Sequence, residues 1–165
     1  MPVRIFFADP NTKTVENFEK KLSGTGYEVV STSNGNEVVR TINVNNVPHL
    51  IVLHSDLQGE STLKICQDLR KEKRTVNVPI LIMKEKGLDV KPYQEINIRQ
   101  FMEATSDLDE ILQKIKLILQ SLRQRQGVQA KPKITPGVIV GILVVALCVF
   151  VLIFMVFVPL FSGSK

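Results

Sequence analysis

Four side chains in the N-terminal two thirds stand where chemistry is done in alternating strand–helix proteins, just past an apolar run. Asp9 follows Val3–Ala8, His54 follows Leu50-Ile51-Val52-Leu53 with Asp56 two residues on, and Lys84 follows Val78–Met83. An imidazole can accept a phosphoryl group, and a carboxylate can accept one or hold a hard cation. No second catalytic group accompanies His54, so it reads first as a strand-end histidine near Asp9 or Asp56. The two cysteines, Cys66 and Cys148, have no metal-ligand spacing and no disulfide framework, and both fall at apolar positions where a thiol packs.

The elements that must position these groups alternate between strand and helix. After Val3–Ala8, Asp9-Pro10-Asn11 breaks the run. Val15, Phe18 and Leu22 then recur at helical spacing, ended by Gly24 and Gly26. Tyr27–Ser31 reads as a second strand, Asn34-Gly35 as a turn, and Val38, Val39 and Ile42 as a second helix. Leu50–Leu53 is continuously apolar, as suits a central parallel strand covered on both faces. Leu63, Ile65, Cys66 and Leu69 mark a third helix, Val78–Met83 a fourth strand and Ile96–Met102 a fifth. Between them Gly87 and Pro92 leave room only for a short or irregular helix. Ser106-Asp107-Leu108-Asp109 is a capped helix start, continued by Ile111, Leu112, Ile115, Ile118, Leu119 and Leu122. Repeated βα units imply an α/β fold, a doubly wound five-stranded parallel sheet.

The composition divides the chain of 165 residues. Residues 1–122 hold all 16 acidic side chains and 16 of the 21 basic ones, so they are formally neutral. The net +5 comes from Arg123, Arg125, Lys131, Lys133 and Lys165. With no basic-and-aromatic stripe and no Trp, the high pI does not point to nucleic acid. Residues 123–135 are a basic polar linker. Gly137–Phe161 carries no charge, and as a helix it would be ~37 Å long, enough to cross a ~30 Å hydrocarbon core. This predicts one transmembrane helix over 136–161 and a short tail at 162–165. The opening MPVRIFFADP lacks a signal-peptide h-region. Four basic residues before the span against one after it place residues 1–122 in the cytoplasm, anchored to the inner membrane of a cell. Those cations can also meet anionic lipid headgroups, and Gly137/Gly141 gives a spacing that can pack two spans as a homodimer.

Residues 48–70, PHLIVLHSDLQGESTLKICQDLR, resemble the phosphoacceptor segment of bacterial response-regulator receiver domains, with Leu57, Gln58 and Gly59 in register. The resemblance covers residues 3–122. GYEVVSTSNGNEVV is similar to the family's second strand and helix, VPILIM to its fourth strand, and FMEATSDLDEIL to its fifth strand and last helix. It implies a site in which two acids and an acceptor Asp hold Mg²⁺ while a Lys and a Ser/Thr meet the phosphoryl group. Here Asp9 keeps one acid beside Pro10. His54 stands at the acceptor position, Lys84 at the Ser/Thr, Ala104 at the Lys, and Thr105 where a Pro is usual. The expectation is a pseudo-receiver, not an enzyme, with Mg²⁺ binding lost and no cofactor. The Lys84 ammonium would reach towards Asp9 in place of the metal. Its partner would be a signalling protein docked on the receiver-like surface, which can also serve a homodimer. The alternatives are a working phosphorelay receiver that uses His54 or Asp56 as acceptor, and a structural membrane adaptor.

Overall fold

The computed structural model describes residues 2–44 and 47–129. The chain divides into two compact units, Met1–Arg123 and Gln124–Lys165, and the site lies in the first. Five strands, β1 (Val3–Ala8), β2 (Tyr27–Thr32), β3 (Leu50–His54), β4 (Ile80–Lys84) and β5 (Gln100–Glu103), form one sheet in the order β2-β1-β3-β4-β5. Every pairing is parallel. The helices are α1 (Thr12–Leu22), α2 (Gly35–Val44), α3 (Thr62–Lys71), α4 (Lys91–Glu95) and α5 (Leu108–Gln129).

Alternation along the strands divides the core into two layers. Phe6, Ala8, Ile51, Leu53, Ile80 and Ile82 pack with Val38 and Ile42 of α2 and with Ile65, Cys66 and Leu69 of α3. Ile5, Phe7, Leu50, Val52, Leu81 and Met83 pack with Phe18 and Leu22 of α1 and with Ile111, Ile115, Ile118 and Leu119 of α5. Phe7 and Phe18 stack with ring centroids 4.0 Å apart. Burial pushes the Cys66 thiol up to about 12, so it stays a neutral packing group at physiological pH.

His54 and Lys84 are the last residues of their strands, the strand-end places the sequence reading gave them. The sequence reading needs adjustment at two edges. The fifth strand starts at Gln100, because Ile96 ends α4 and Asn97 takes a positive φ of 61° that breaks any extended run. The expected irregular segment holds α4, one short turn with Pro92 at its start. Helix α5 continues to Gln129, through residues 123–129 read above as linker. That stretch is mostly Gln and Arg, good helix formers, and the first proline comes only at Pro132. The predicted span at 136–161, and Cys148 within it, lie outside the described residues. Among the described residues no helix is long and apolar enough to cross a membrane.

Candidate functional site

Because β1 and β3 are neighbours while their helices leave to opposite faces, a crevice opens at the carboxyl edge of the sheet between them. It is a cleft of about 440 Å³. Asp9 and Pro10 come from the end of β1, Asn11, Thr14 and Asn17 from the cap and first turns of α1, and His54 and Asp56 from the end of β3. Met83 and Glu85 come from β4 and the loop after it, and Ala104, Ser106, Leu108 and Ile111 from the far wall.

Strand parity decides which side chains enter. Asp9 continues the alternation of Ile5 and Phe7, His54 that of Leu50 and Val52, and Ala104 that of Met102, all on the α1/α5 face. Lys84 continues Ile80 and Ile82, and Glu103 continues Phe101, on the α2/α3 face. Lys84 and Glu103 are register partners, and Lys84 Nζ lies 2.5 Å from Glu103 Oε1. The expectation that Lys84 reaches Asp9 is therefore not met. Of the sequence-named positions, Asp9, Pro10, His54, Asp56 and Ala104 line one cleft and Lys84 does not.

His54 is 8 % exposed and held on three sides. Its Nδ1 accepts the Asp56 N–H at 3.1 Å, its backbone carbonyl accepts the Thr62 hydroxyl at 2.8 Å, and its Nε2 lies 3.3 Å from Glu85 Oε1. With Nδ1 accepting, the ring proton sits on Nε2, the nitrogen nearer Glu85. Glu85 is brought there by a backbone rung: Ser55 N–H donates to the Met83 carbonyl, and Glu85 N–H to Ser55 Oγ, at 2.8 and 3.0 Å. Asp9 is 6 % exposed, and its Oδ1 accepts the Asn11 N–H at 2.8 Å. Burial raises its pKa above the usual value, and the Asn11 N–H and His54 only partly offset that.

The loop carrying Asp56 is seated on the start of α2. Asn34 and Gln58 form an isolated parallel bridge, and Gly35 N–H donates to the Gln58 carbonyl at 2.8 Å. A Cβ on Gly35 would come within 2.9 Å of the carbonyl oxygens of Gln58 and Glu60, so the approach requires glycine.

Sequence reasoning missed Glu85 and the α1 wall. Glu85 sits in the charged run Lys84-Glu85-Lys86, which reads as solvated surface. The signal for the wall was Asn11, which caps α1 by accepting the Lys13 N–H at 3.0 Å, with Thr14 and Asn17 on the same side of the helix.

No family model and no curated protein matches the chain. Solved structures do. The chain is similar to the chemotaxis response regulator CheY4 of Vibrio cholerae, with TM-score 0.64 and 12 % identity over 72 % of this chain and 99 % of that one. It is similar to a response regulator receiver protein from Pseudomonas putida, with TM-score 0.61 and 19 % identity over 70 % and 97 % of the two chains. A two-component response regulator from Clostridium difficile gives TM-score 0.62 and 18 % identity over 73 % and 98 %. The first unit therefore has the receiver fold.

That fold family implies Mg²⁺ at the carboxyl edge, and the residues here do not fit it. Mg²⁺ demands several oxygen ligands in near-octahedral array. Among the described residues Asp9 is the one buried carboxylate of the cleft, with one oxygen already engaged, and its neighbour is Pro10. His54 offers nitrogen and occupies Glu85. Among the described residues, no three His, Cys, Asp or Glu side chains are grouped to hold a metal.

Proposed function

We propose that the chain is a membrane-tethered pseudo-receiver, a non-enzymatic protein-interaction module of phosphorelay-type signalling that docks a partner without aspartyl-phosphate chemistry. The observation that carries this reading is the pairing of a receiver fold with a strand-end site rebuilt around His54. At the end of β3 stands an imidazole fixed by Asp56 N–H and Glu85, and across the cleft stands Ala104, which brings no charge. Phosphoryl transfer depends on positioned charge that neutralises the transferring group, and among the described residues that line the cleft there is no lysine or arginine. The tether rests on the uncharged run Gly137–Phe161, and the cytoplasmic placement of the domain on the cations that precede it.

The test is incubation of the full chain in membranes with a small phosphodonor and Mg²⁺, followed by Phos-tag electrophoresis. No retarded band is expected. A retarded band that disappears in Asp56→Asn or His54→Gln would establish the working receiver instead, with the acceptor named by the variant. Protease treatment of spheroplasts should leave residues 1–122 intact, and digestion from outside would reverse the topology.

A further inference from the structure

Residues 1–122 are formally neutral, yet the fold sorts their charges by edge. In a parallel sheet all strands start on one edge and the helices return to it, so that amino edge collects the helix ends and the turns into the next strand. There Lys20 and Lys21 are in the last turn of α1, Lys71 ends α3, Lys73 and Arg74 follow it, and Arg99 precedes β5. The acids on that edge are Glu28, paired with Arg4 at 2.7 Å, Glu72 and Glu95. The carboxyl edge has the reverse balance, with Asp9, Asp56, Glu85, Asp107 and Glu110 among its acids. Helix dipoles account for Lys20, Lys21 and Lys71, which lie in last turns. They do not account for Lys73, Arg74 and Arg99, which lie in the connections.

Apolar side chains stand out among these cations. Val44, the last residue of α2, is 79 % exposed, and Val76, in the turn after α3, is 39 % exposed. Two hydrogen bonds gather the patch. Arg74 Nη1 donates to the Asn43 carbonyl at 3.4 Å, which brings the α3–β4 turn to the end of α2. Arg70 Nε donates to the Ile96 carbonyl at 3.3 Å, which brings the segment before Arg99 to the end of α3. Exposed apolar groups rimmed by cations suit an anionic lipid interface. Helix α5 leads to the same edge: Lys116 lines a hollow with Leu22 and Tyr27, at the end of α1 and the start of β2. The chain therefore leaves the first unit, at Arg123, on its basic side. The sequence then adds Arg125, Lys131 and Lys133 before the uncharged run Gly137–Phe161.

Building on the reading of that run as a tether, we propose that the amino edge of the sheet is a membrane-contact face that lies on anionic lipid headgroups. Lys73, Arg74 and Arg99 meet the lipid phosphates and carboxylates, and Val44 and Val76 enter the headgroup layer. The carboxyl edge, with its cleft, then faces away from the bilayer and stays open to a partner protein.

The experiment puts the full chain into vesicles and nanodiscs of phosphatidylcholine, with and without about one third phosphatidylserine. Flotation with the pure phosphatidylcholine vesicles, resistant to high salt, reads the tether. A nitroxide-headgroup lipid in the discs reads the face, because it broadens amides close to the bilayer surface. In anionic discs Val44, Lys73, Val76 and Arg99 should broaden while Asp56 and Glu85 stay sharp. High salt, or the double reversal Lys73→Glu with Arg99→Glu, should return the broadening to its level in neutral discs. Broadening that is equal in neutral and anionic discs, or that survives the double reversal, would overturn the face and leave the tether standing. Salt-sensitive flotation on anionic vesicles alone, with the amino edge broadened, would overturn the tether and leave the face standing. No association with either membrane would overturn both.

Discussion

Lys84 and Glu103 face each other across the β4–β5 register with Nζ 2.5 Å from Oε1, on the sheet face opposite Asp9 and His54. A lysine that the strand-end position offers to the cleft is thus spent pinning the edge strand. One residue of parity makes the difference, because each step along a strand reverses the face.

Lys84→Met should therefore leave the cleft alone. The pair is partly exposed, with 28 % and 53 % of the two side chains accessible, and such pairs contribute roughly 0–1 kcal/mol. The denaturation midpoint should move by no more than that. Amide shifts should change at Glu103 and Phe101 and stay fixed at Asp9 and Asn11. Movement at Asp9 would place the ammonium in the cleft after all.

Much of this architecture was legible in the residues. The continuous run Leu50–Leu53 had to be a central strand, and it pairs with β1 on one side and β4 on the other. Asp9, Pro10, His54, Asp56 and Ala104 were all named before any geometry and line one cleft. What could not be read was orientation at strand ends. An apolar run buried on both faces carries no alternation, so nothing in Ile80-Leu81-Ile82-Met83 says which way Lys84 turns. Glu85 was equally hidden, because its role depends on the Ser55 hydroxyl catching its backbone N–H. The end of α5 was misplaced for a different reason: a polar, basic stretch suggested linker, yet its residues have good helix propensity.

Gly35→Ala tests the seat of the β3–α3 loop. The added methyl would meet two backbone oxygens at 2.9 Å, and neither can swing away as a side-chain tip would. We expect a loss of about 1–3 kcal/mol in urea denaturation, the usual cost of overpacking. Amide shifts should spread to Gln58, Gly59 and Asp56. An unchanged midpoint would mean that the loop is not held there.

Arg70 ties several segments together on the opposite side of the sheet. Its Nη1 donates to the carbonyls of Val78, Val76 and Thr75 at 2.9, 3.1 and 3.3 Å, and its Nε to that of Ile96 at 3.3 Å. One half-buried guanidinium thereby joins the end of α3 and the approach to β4 to the segment after α4. Arg70→Lys keeps the charge but cannot reproduce the fork. It should cost roughly 1–3 kcal/mol, because several carbonyls, three of them in part-buried bonds, lose a charged donor. Hydrogen exchange should accelerate at Val78 and Ile98, whose amides belong to the joined segments. Stability equal to that of the parent would assign the restraint to Thr75, whose hydroxyl donates to the Leu69 carbonyl at 2.6 Å.

The last prediction concerns the charge on Asp9. Burial raises its carboxyl pKa above the ordinary 3.8, more than the Asn11 N–H and His54 lower it. A raised carboxyl pKa means that the folded state binds this proton more tightly than the unfolded state does. Between the two pKa values the folded state holds more protons, so stability from this group falls as pH rises through that window. Above the folded pKa the ionised side chain is a fixed burden on the fold. Asp9→Asn removes the burden while keeping an amide oxygen that can accept the Asn11 N–H. The variant should therefore have a higher urea midpoint than the parent at pH 7. The advantage should shrink as pH falls through the raised pKa, and vanish near and below 3.8, where the parent carries the proton in both states. Paired urea titrations from pH 7 down to pH 4 will trace this. A variant less stable than the parent at pH 7 would show that the carboxylate is already matched inside the chain.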